Sequence, residues 1–329
     1  MLSKVWGRTS FTVMIAAASG GAAFAETAWT PKRPIELVAQ SAPGSGTDIT
    51  ARMIQEIWRT QKIVSVSSSV VNKAGGNGSV ALSYLQHHAG DGHYLEVASA
   101  ALLTSQITGT SPFHVSDFTV IAKLASEYLA FAIKADSPIK DGKDLMARLK
   151  GDPGSLSIAI GTAAGGVNNV AAALVTRAAG GDPKKLKTVV FSSSSESATA
   201  LLGGHVDLVV ASASEVLPFL RDGRMRLIGI TAPQRQDGPL ANVPTWKEHG
   251  VDIVIDNFRP VIGPPKLSPA EVSFWDAVFI KTTASDQWKA DVQKSHWSGV
   301  YLASADARKY IDDQYKILQL ALEDLGMAK

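Results

Sequence analysis

Four short loops of small and hydroxylated residues stand directly before helical patterns in this sequence. The first is the run SAPGSGTD at Ser41–Asp48, which follows the apolar stretch Ile35–Ala39. Pro43 fixes the backbone and the two glycines permit positive φ, which leaves backbone N–H groups beside a helix N-terminus where an anion can bind. Thr47 or Asp48 is expected to cap this helix. Because the Asp48 carboxylate would repel an anion, we assign it to capping or to a water-bridged or amine contact.

The other three loops repeat this arrangement. They are NKAGGNG at Asn72–Gly78, GTAAGGVNN at Gly161–Asn169, which includes Thr162, and FSSSSE at Phe191–Glu196. A hydrogen bond to a charged group contributes roughly 1.5–3 kcal/mol, and a micromolar complex needs only about −8 kcal/mol net. Each loop alone could be an ordinary capping turn, but four together favour recognition of a carboxylate through backbone amides and hydroxyls.

Enzyme and metal signatures are missing from the sequence. It has no Gly-x-Ser-x-Gly elbow, no His-Glu-x-x-His, no Walker loop and no Gly-x-Gly-x-x-Gly. The run Gly44–Gly46 begins like the last motif, but Ile49 stands where its third glycine would be. His87 and His88 are adjacent, so they do not share a helix face and make a poor metal pair. The chain has no cysteine, which excludes disulfides and thiolate chemistry. We therefore predict no catalytic residue, no metal and no cofactor.

The N-terminal 25 residues resemble a secretory signal peptide. Lys4 and Arg8 precede the apolar run Phe11–Ala18, and Ala23–Ala25 ends in a small-x-small cleavage pattern, so we expect cleavage before Glu26. The apolar run is far shorter than the roughly 20 residues that span a bilayer. Loss of the two basic residues takes the net charge from +2 to near zero, and no dense Lys/Arg run remains to bind nucleic acid. We expect a soluble protein of a bacterial periplasm.

Strand-like apolar runs alternate with helical patterns along the chain, which predicts an α/β protein with mainly parallel sheets flanked by helices. One such layer covers residues 35–98 and a second covers residues 157–230. Ligands of open α/β sheets bind at the carboxyl ends of the strands, where the small-residue loops lie, and two facing layers form a cleft that a hinge can close. The last predicted helix spans Ser304–Leu325, with Ser304 as its N-cap.

Several longer stretches carry a family resemblance. They are PIELVAQSAPGSGTD, VVNKAGGNGSVALSYL, GTAAGGVNNVAAAL and NVPTWKEHGVDIVIDNFRPVIGPP, in this order, and the likeness covers nearly all of the chain after the signal peptide. In these stretches the chain resembles the periplasmic receptors of tripartite tricarboxylate transporters, also called Bug receptors. The resemblance implies a two-domain periplasmic binding protein, or Venus flytrap. Such a receptor binds an organic anion between its lobes and delivers it to a membrane permease with one large and one small subunit.

The resemblance also implies where the ligand binds. Matched by position, the first-loop contacts are Ser45, Gly46 and Thr47, the second-loop contacts are Gly165, Gly166, Val167 and Asn168, and the remaining walls are Ser192, Ser193, Ser212, Asn257, Phe258 and Arg259. Ser41, Asp48 and Thr162 complete the predicted ligand-binding set from the loops themselves. Ser45 replaces a glycine that many members have, and Asn168-Asn169 replaces Ser-His or Asp-His. Dicarboxylates, tricarboxylates and aromatic acids all remain candidate ligands.

The resemblance implies a discontinuous first domain at residues 27–130 plus 257–329, a second domain at 131–256, and a hinge near Phe131 and Ile255. We expect a monomer whose partners are the acid and the permease. The alternative is a co-receptor that reports a carboxylate to a membrane sensor kinase, and an exported hydrolase is disfavoured because no nucleophile–base pair is visible. Thr47→Val and Asn168→Leu are each expected to weaken binding and to leave the melting point of the ligand-free protein nearly unchanged.

Overall fold

A computed structural model describes residues 28–161, 164–191 and 194–329, without the side chains of residues 194 and 195. The predicted signal peptide and the predicted contacts Thr162, Ser192 and Ser193 lie outside the described residues. Within these ranges, the helices are all too short or too polar to cross a lipid bilayer.

The described strands form two sheets. In chain order they are β1 (Ile35–Ala39), β2 (Ser68–Asn72), β3 (Tyr94–Val97), β4 (Thr119–Ala125), β5 (Leu129–Lys134), β6 (Ser157–Gly161), β7 (Lys187–Phe191), β8 (Leu208–Ser212), β9 (Met225–Ile230), β10 (Arg259–Gly263) and β11 (Leu302–Ala303). The first sheet has the order β11-β4-β10-β3-β1-β2, and the second has the order β7-β6-β8-β5-β9.

Helices cover both sheets. They are α1 (Gly46–Gln61), α2 (Ser79–Gln86), α3 (Ala101–Ile107), α4 (Gly142–Gly151), α5 (Val167–Ala178), α6 (Ser194–Leu202), α7 (Ala213–Arg221), α8 (Pro269–Ala284), α9 (Asp286–Lys294) and α10 (Ser304–Asp324). We call the first sheet with α1–α3 and α8–α10 the first lobe, and the second sheet with α4–α7 the second lobe. The α/β fold class is thereby confirmed.

Both sheets are mixed, because one strand enters each of them from the other lobe and because β11 pairs antiparallel with β4 in the first sheet. β1 runs parallel to β2 and β3, and β6 runs parallel to β7 and β8, as the alternation of strands and helices predicts. β5 and β10 follow the two passages of the chain between the lobes, and they pair antiparallel with their neighbours. Strands joined by helical crossovers run parallel to each other, whereas a strand that enters from the other lobe can run antiparallel.

The two passages of the chain between the lobes pair with each other. Tyr128 forms an antiparallel bridge with Asp256, and the N–H of Asn257 donates to the carbonyl of Glu127 at 2.8 Å. A short two-stranded ribbon therefore connects the lobes. The domain boundaries given above lie beside this ribbon and stay a prediction.

Aromatic packing anchors the first lobe. On α1, Ile54, Ile57 and Trp58 are buried, and Trp58 stacks on Trp275 of α8 with ring centroids 5.5 Å apart. The indole N–H of Trp58 also donates to Thr282 Oγ1 at 2.8 Å. This packing fixes α1, and with it the loop that precedes α1, against the rest of the lobe.

The start of α10 differs from its prediction. Ser304 is the first residue of the helix, and Ala303 occupies the cap position without a capping side chain. The backbone N–H and the hydroxyl of Ser304 donate to the carboxylate of Asp276 at 2.9 and 2.7 Å. The capping group therefore comes from α8, a tertiary contact that no local sequence pattern shows.

Candidate functional site

The first loop ends in a helix start with two unengaged backbone donors. Ser45 caps α1, since its Oγ accepts the N–H of Asp48 at 3.4 Å, which corrects the expectation that Thr47 or Asp48 would cap. Among the described residues, no group accepts a hydrogen bond from the N–H of Gly46 or Thr47. These two N–H groups are available to a ligand at the positive end of the helix dipole.

Asp48 fastens the first loop from within. Its carboxylate accepts the N–H of Gly44 at 2.9 Å, Nε of Arg52 at 3.0 Å and Nδ2 of Asn72 at 2.9 Å. Burial acts to raise the pKa of Asp48, but these hydrogen bonds outweigh it and hold the pKa below its usual value. Asn72 also donates to the carbonyl of Ser41 at 2.8 Å. The charge of Asp48 is thus compensated inside the protein, which removes the objection that it would repel an anion.

The loop after β6 presents a second helix start of the same kind. Gly166 stands at the cap position of α5 without a capping side chain, and Gly165 has a φ of 77°. The N–H of Gly165 donates to Asn169 Oδ1 at 3.1 Å. Among the described residues, the N–H groups of Val167 and Asn168 have no acceptor. Two lobes therefore each offer a helix N-terminus with open donors.

The side chain of Asn168 already has a structural partner. Its Nδ2 donates to the carbonyl of Val210 on β8 at 2.8 Å, and the residue is 8% exposed. This bond attaches the start of α5 to the second sheet. The backbone N–H of Asn168 is therefore the donor that remains for a ligand. Because the side chain attaches α5 to the sheet, Asn168→Leu is expected to lower the stability of the ligand-free protein, contrary to the expectation from the sequence.

The predicted wall residues occupy different environments. Ser212 is buried at the carboxyl end of β8, where α7 begins. Asn257 is half-buried in the ribbon between the lobes. Phe258 has no exposed surface and packs edge-to-face on Tyr310, with ring centroids 5.4 Å apart. The ring of Phe258 contributes to the core, whereas Ser212 and Asn257 lie where the lobes meet.

Arg259 is buried beneath the start of α1. It forms an ion pair with Glu127, and its Nη1 donates to the carbonyl of Asn257 at 2.8 Å. A Cβ atom on Gly46 would lie 2.5 Å from Arg259 Nη2, so any side chain at this position would have to displace the ion-paired guanidinium. Glu127 in turn accepts the hydroxyl of Ser214 on α7. A continuous path of contacts therefore runs from the first loop to the second lobe.

The sequence patterns missed Glu127 and Ser214. Glu127 lies in the ribbon between the lobes, outside the four loops, and Ser214 is the second residue of α7, which follows none of the four loops. The lobes meet again at the second loop, where a Cβ on Gly165 would lie 2.9 Å from Thr108 Cγ2 of the first lobe. The geometry thus brings Gly46, Arg259 and Ser212 to the region between the lobes.

A separate groove of about 680 Å³ opens between the lobes, and none of the ligand-binding candidates within the described residues lines it. The second lobe contributes residues 234–240 to it, and the first lobe contributes Trp288 and Trp297 among others. No cluster of three or more potential metal ligands occurs within the described part of the chain. The chemistry of the region is that of main-chain donors and paired charges.

The profile described as "Tripartite tricarboxylate transporter family receptor" matches residues 50–327. The chain belongs to this receptor family. The receptor is 28% identical over 302 residues to "UPF0065 protein in gbd 5'region" of Cupriavidus necator, covering 91% of this chain and 89% of that protein. Family membership confirms the resemblance that the sequence stretches indicated.

Solved structures share the fold of the receptor. "R. palustris Rpa4515 with adipate" has a TM-score of 0.79 at 20% identity and covers 91% of this chain and 99% of that one. "MatC (Rpa3494) from Rhodopseudomonas palustris with bound malate" has a TM-score of 0.69 at 21% identity and covers 91% and 100%. At 20% and 21% identity, this likeness shows a shared fold and nothing more.

Proposed function

We propose that this chain is a periplasmic solute-binding receptor. It captures a small organic carboxylate between its lobes and delivers it to the membrane permease of a tripartite tricarboxylate transporter. The observation that carries the proposal is the pair of helix starts, one in each lobe, whose first N–H groups have no acceptor among the described residues. Membership in the receptor family and the adipate and malate in the structures of its neighbours support it.

The binding contacts in this proposal are mainly backbone donors. Gly46 and Thr47 donate from the first lobe, Val167 and Asn168 donate from the second, and Ser212 and Asn257 complete the walls. Each N–H bond to a carboxylate contributes roughly 1.5–3 kcal/mol, and each helix start adds about 0.3–1 kcal/mol. Four such bonds offset the several kcal/mol that a desolvated carboxylate costs. No cofactor takes part.

The cellular setting follows from the same proposal. Residues 1–25 direct export and are removed, and the monomeric receptor works in the periplasm. The acid is its soluble partner, and the large and small permease subunits are its membrane partners. The two lobes close on the bound acid by a hinge motion, and the closed receptor is the form that delivers the acid to the permease.

A ligand panel with one backbone substitution tests the proposal. Adipate, malate, citrate and benzoate are each titrated into the receptor by calorimetry, and at least one is expected to bind. Val167→Pro then removes the N–H of Val167 at the first position of α5, where proline is well tolerated because Gly166 is extended, with a ψ of 169°. Losing one charged hydrogen bond is expected to weaken binding by on the order of 10-fold to 100-fold.

The matched control is Asp286→Pro. Asp286 is the first residue of α9, follows the extended Ser285 and is fully exposed, so the same substitution is made at an equivalent helix position. The control is expected to leave the affinity unchanged. Absence of binding by all four acids contradicts the proposed function, and equal affinities of the two variants contradict the role of the α5 start.

A further inference from the structure

A buried cation lies directly under the helix start proposed to bind the ligand. The side chain of Arg259 is 4% exposed, and Gly46 packs on its guanidinium so closely that a Cβ would lie 2.5 Å from Nη2 and 3.2 Å from Cζ. The positive end of the α1 dipole and a full positive charge are therefore side by side. An anion bound to the Gly46 N–H is attracted by both.

One nitrogen of the Arg259 guanidinium, Nε, has no hydrogen-bond partner among the described residues. Nη2 pairs with Glu127, Nη1 donates to Asn257, and the guanidinium lies over the ring of Trp297 at 5.2 Å. Nε is buried, and none of the described residues accepts a hydrogen bond from it. A buried donor of a charged group that has no partner is costly, so an acceptor that reached Nε of Arg259 would stabilise the guanidinium.

Glu127 offsets this positive charge and is itself shared between the lobes. One oxygen pairs with Arg259, and the other accepts the hydroxyl of Ser214 at the start of α7. Glu127 lies in the ribbon that connects the lobes and has 4% of its side chain exposed. Its negative charge is therefore held close to the same helix start and opposes the attraction that Arg259 exerts on an anion.

We propose that Arg259 and Glu127 are opposing determinants of carboxylate affinity, with Arg259 attracting the ligand and Glu127 masking that attraction. The inference rests on the proposed function and deepens it, because it assigns the charge preference of the same site. The two charges act on a carboxylate at Gly46 with opposite signs. A pair that served only to hold the lobes together would give losses of affinity for both substitutions.

At an effective dielectric constant of about 20, a unit charge about 6–12 Å from a bound carboxylate changes the affinity by on the order of 10-fold to 100-fold. Glu127→Gln removes the negative charge that opposes Arg259 and is expected to tighten binding by at least about tenfold. Arg259→Gln removes the attraction and is expected to weaken binding by a similar factor. The double variant, which has neither charge, is expected to fall between the two single variants.

The experiment is calorimetric titration of adipate, malate, citrate and benzoate into the wild-type receptor and the three variants, after each variant is shown to be folded by circular dichroism. Arg226→Gln is the matched control, because Arg226 donates to the carbonyls of Ser137 and Ile139 in the second lobe, away from α1. Its affinity is expected to equal that of the wild type. Citrate and adipate are expected to respond more strongly than benzoate, because they carry more charge.

The double variant keeps the test decisive if one single variant fails to fold. Removing both partners of a buried ion pair is tolerated better than removing one, and comparison of the double variant with either single variant isolates one charge. Affinity changes of the same sign in both single variants, or no change in either, overturn the inference while the proposed function stands. A wild-type receptor that binds none of the four acids overturns the proposed function and the inference together.

Discussion

Glu96 makes the receptor less stable as the pH rises above the acidic range. It lies in the middle of the first sheet, on β3, with Val38 and Ile262 as its neighbours in register, and it has no exposed surface. Neither of its carboxyl oxygens has a hydrogen-bond partner among the described residues. Burial raises the pKa of Glu96 to about 8. The folded protein therefore holds a proton here that the unfolded chain releases near pH 4.5.

The sign and size of the effect follow from linkage. Between the unfolded pKa of 4.5 and the folded pKa of about 8, the folded state binds more protons than the unfolded state, so the free energy of unfolding falls as the pH rises. The difference of the two pKa values corresponds to roughly 5 kcal/mol in total. Above the folded pKa this contribution stays constant. Glu96→Gln, which is neutral at every pH and has nearly the same shape, removes it.

Urea denaturation at pH 5, 7 and 9 measures the effect. We expect the variant to match the wild type within about 1 kcal/mol at pH 5 and to be more stable by several kcal/mol at pH 9. All other ionisable groups are the same in both proteins, so their contributions cancel in the difference. A difference between variant and wild type that does not change with pH would mean that Glu96 does not carry this proton.

Glu271→Gln is the matched control for Glu96. Glu271 is also buried, but its carboxylate accepts the N–H of Gly92 and the N–H and hydroxyl of Ser268, where it completes the capping box of α8. Neutralising it weakens charge-assisted bonds, so this variant is expected to be less stable than the wild type at pH 9. The two buried glutamates thus give effects of opposite sign.

Two further substitutions test how the loops are held. Asn168→Leu leaves the Val210 carbonyl without its donor, so we expect a loss of about 1–3 kcal/mol of unfolding free energy and a lower melting temperature in calorimetry, besides weaker carboxylate binding. Asp48→Asn removes the charge that pairs with the half-exposed Arg52, so it should cost up to about 1 kcal/mol at pH 7 in urea denaturation. That difference should shrink below pH 4, because protonation of Asp48 removes the same interaction from the wild type. An unchanged melting temperature for the first variant, or a pH-independent cost for the second, would contradict these contacts.

Local patterns were sufficient to predict the strand–loop–helix units. The apolar run Ile35–Ala39 followed by small residues predicted β1 and α1, and the loop after Ser157–Ile160 predicted the start of α5. In both cases the signal is local, since hydrophobic periodicity changes at a run of glycines and hydroxylated residues. The family resemblance, matched by position within these units, then placed Gly46, Thr47, Val167 and Asn168 among the candidate ligand contacts.

Contacts between distant segments were not predictable in the same way. The choice of Ser45 as cap depends on which hydroxyl the backbone turns toward Asp48, and the hydroxyls of neighbouring residues compete for that role. The Asp276 cap of α10 and the Glu127–Arg259 pair join residues far apart in the chain. The sequence gives no sign of these partners.

Burial of charge also escaped the sequence patterns. Glu96 in the run Tyr94–Val97 suggests a polar position facing solvent, because charged residues are rarely buried without a partner. β10 covers this position because it enters the sheet from the other lobe, beside β3. The same insertion places Arg259 beneath α1. The burial of Glu96 and the burial of Arg259 therefore have one cause, which is that β10 enters the first sheet from the other lobe.

The most direct test is a crystal structure of the receptor grown with the acid from the panel that binds most tightly. We expect its carboxylate between the lobes, with oxygens within about 3 Å of the N–H groups of Gly46 or Thr47 on one side and Val167 or Asn168 on the other. An empty space between the lobes, with the acid bound at another part of the surface, would contradict the account.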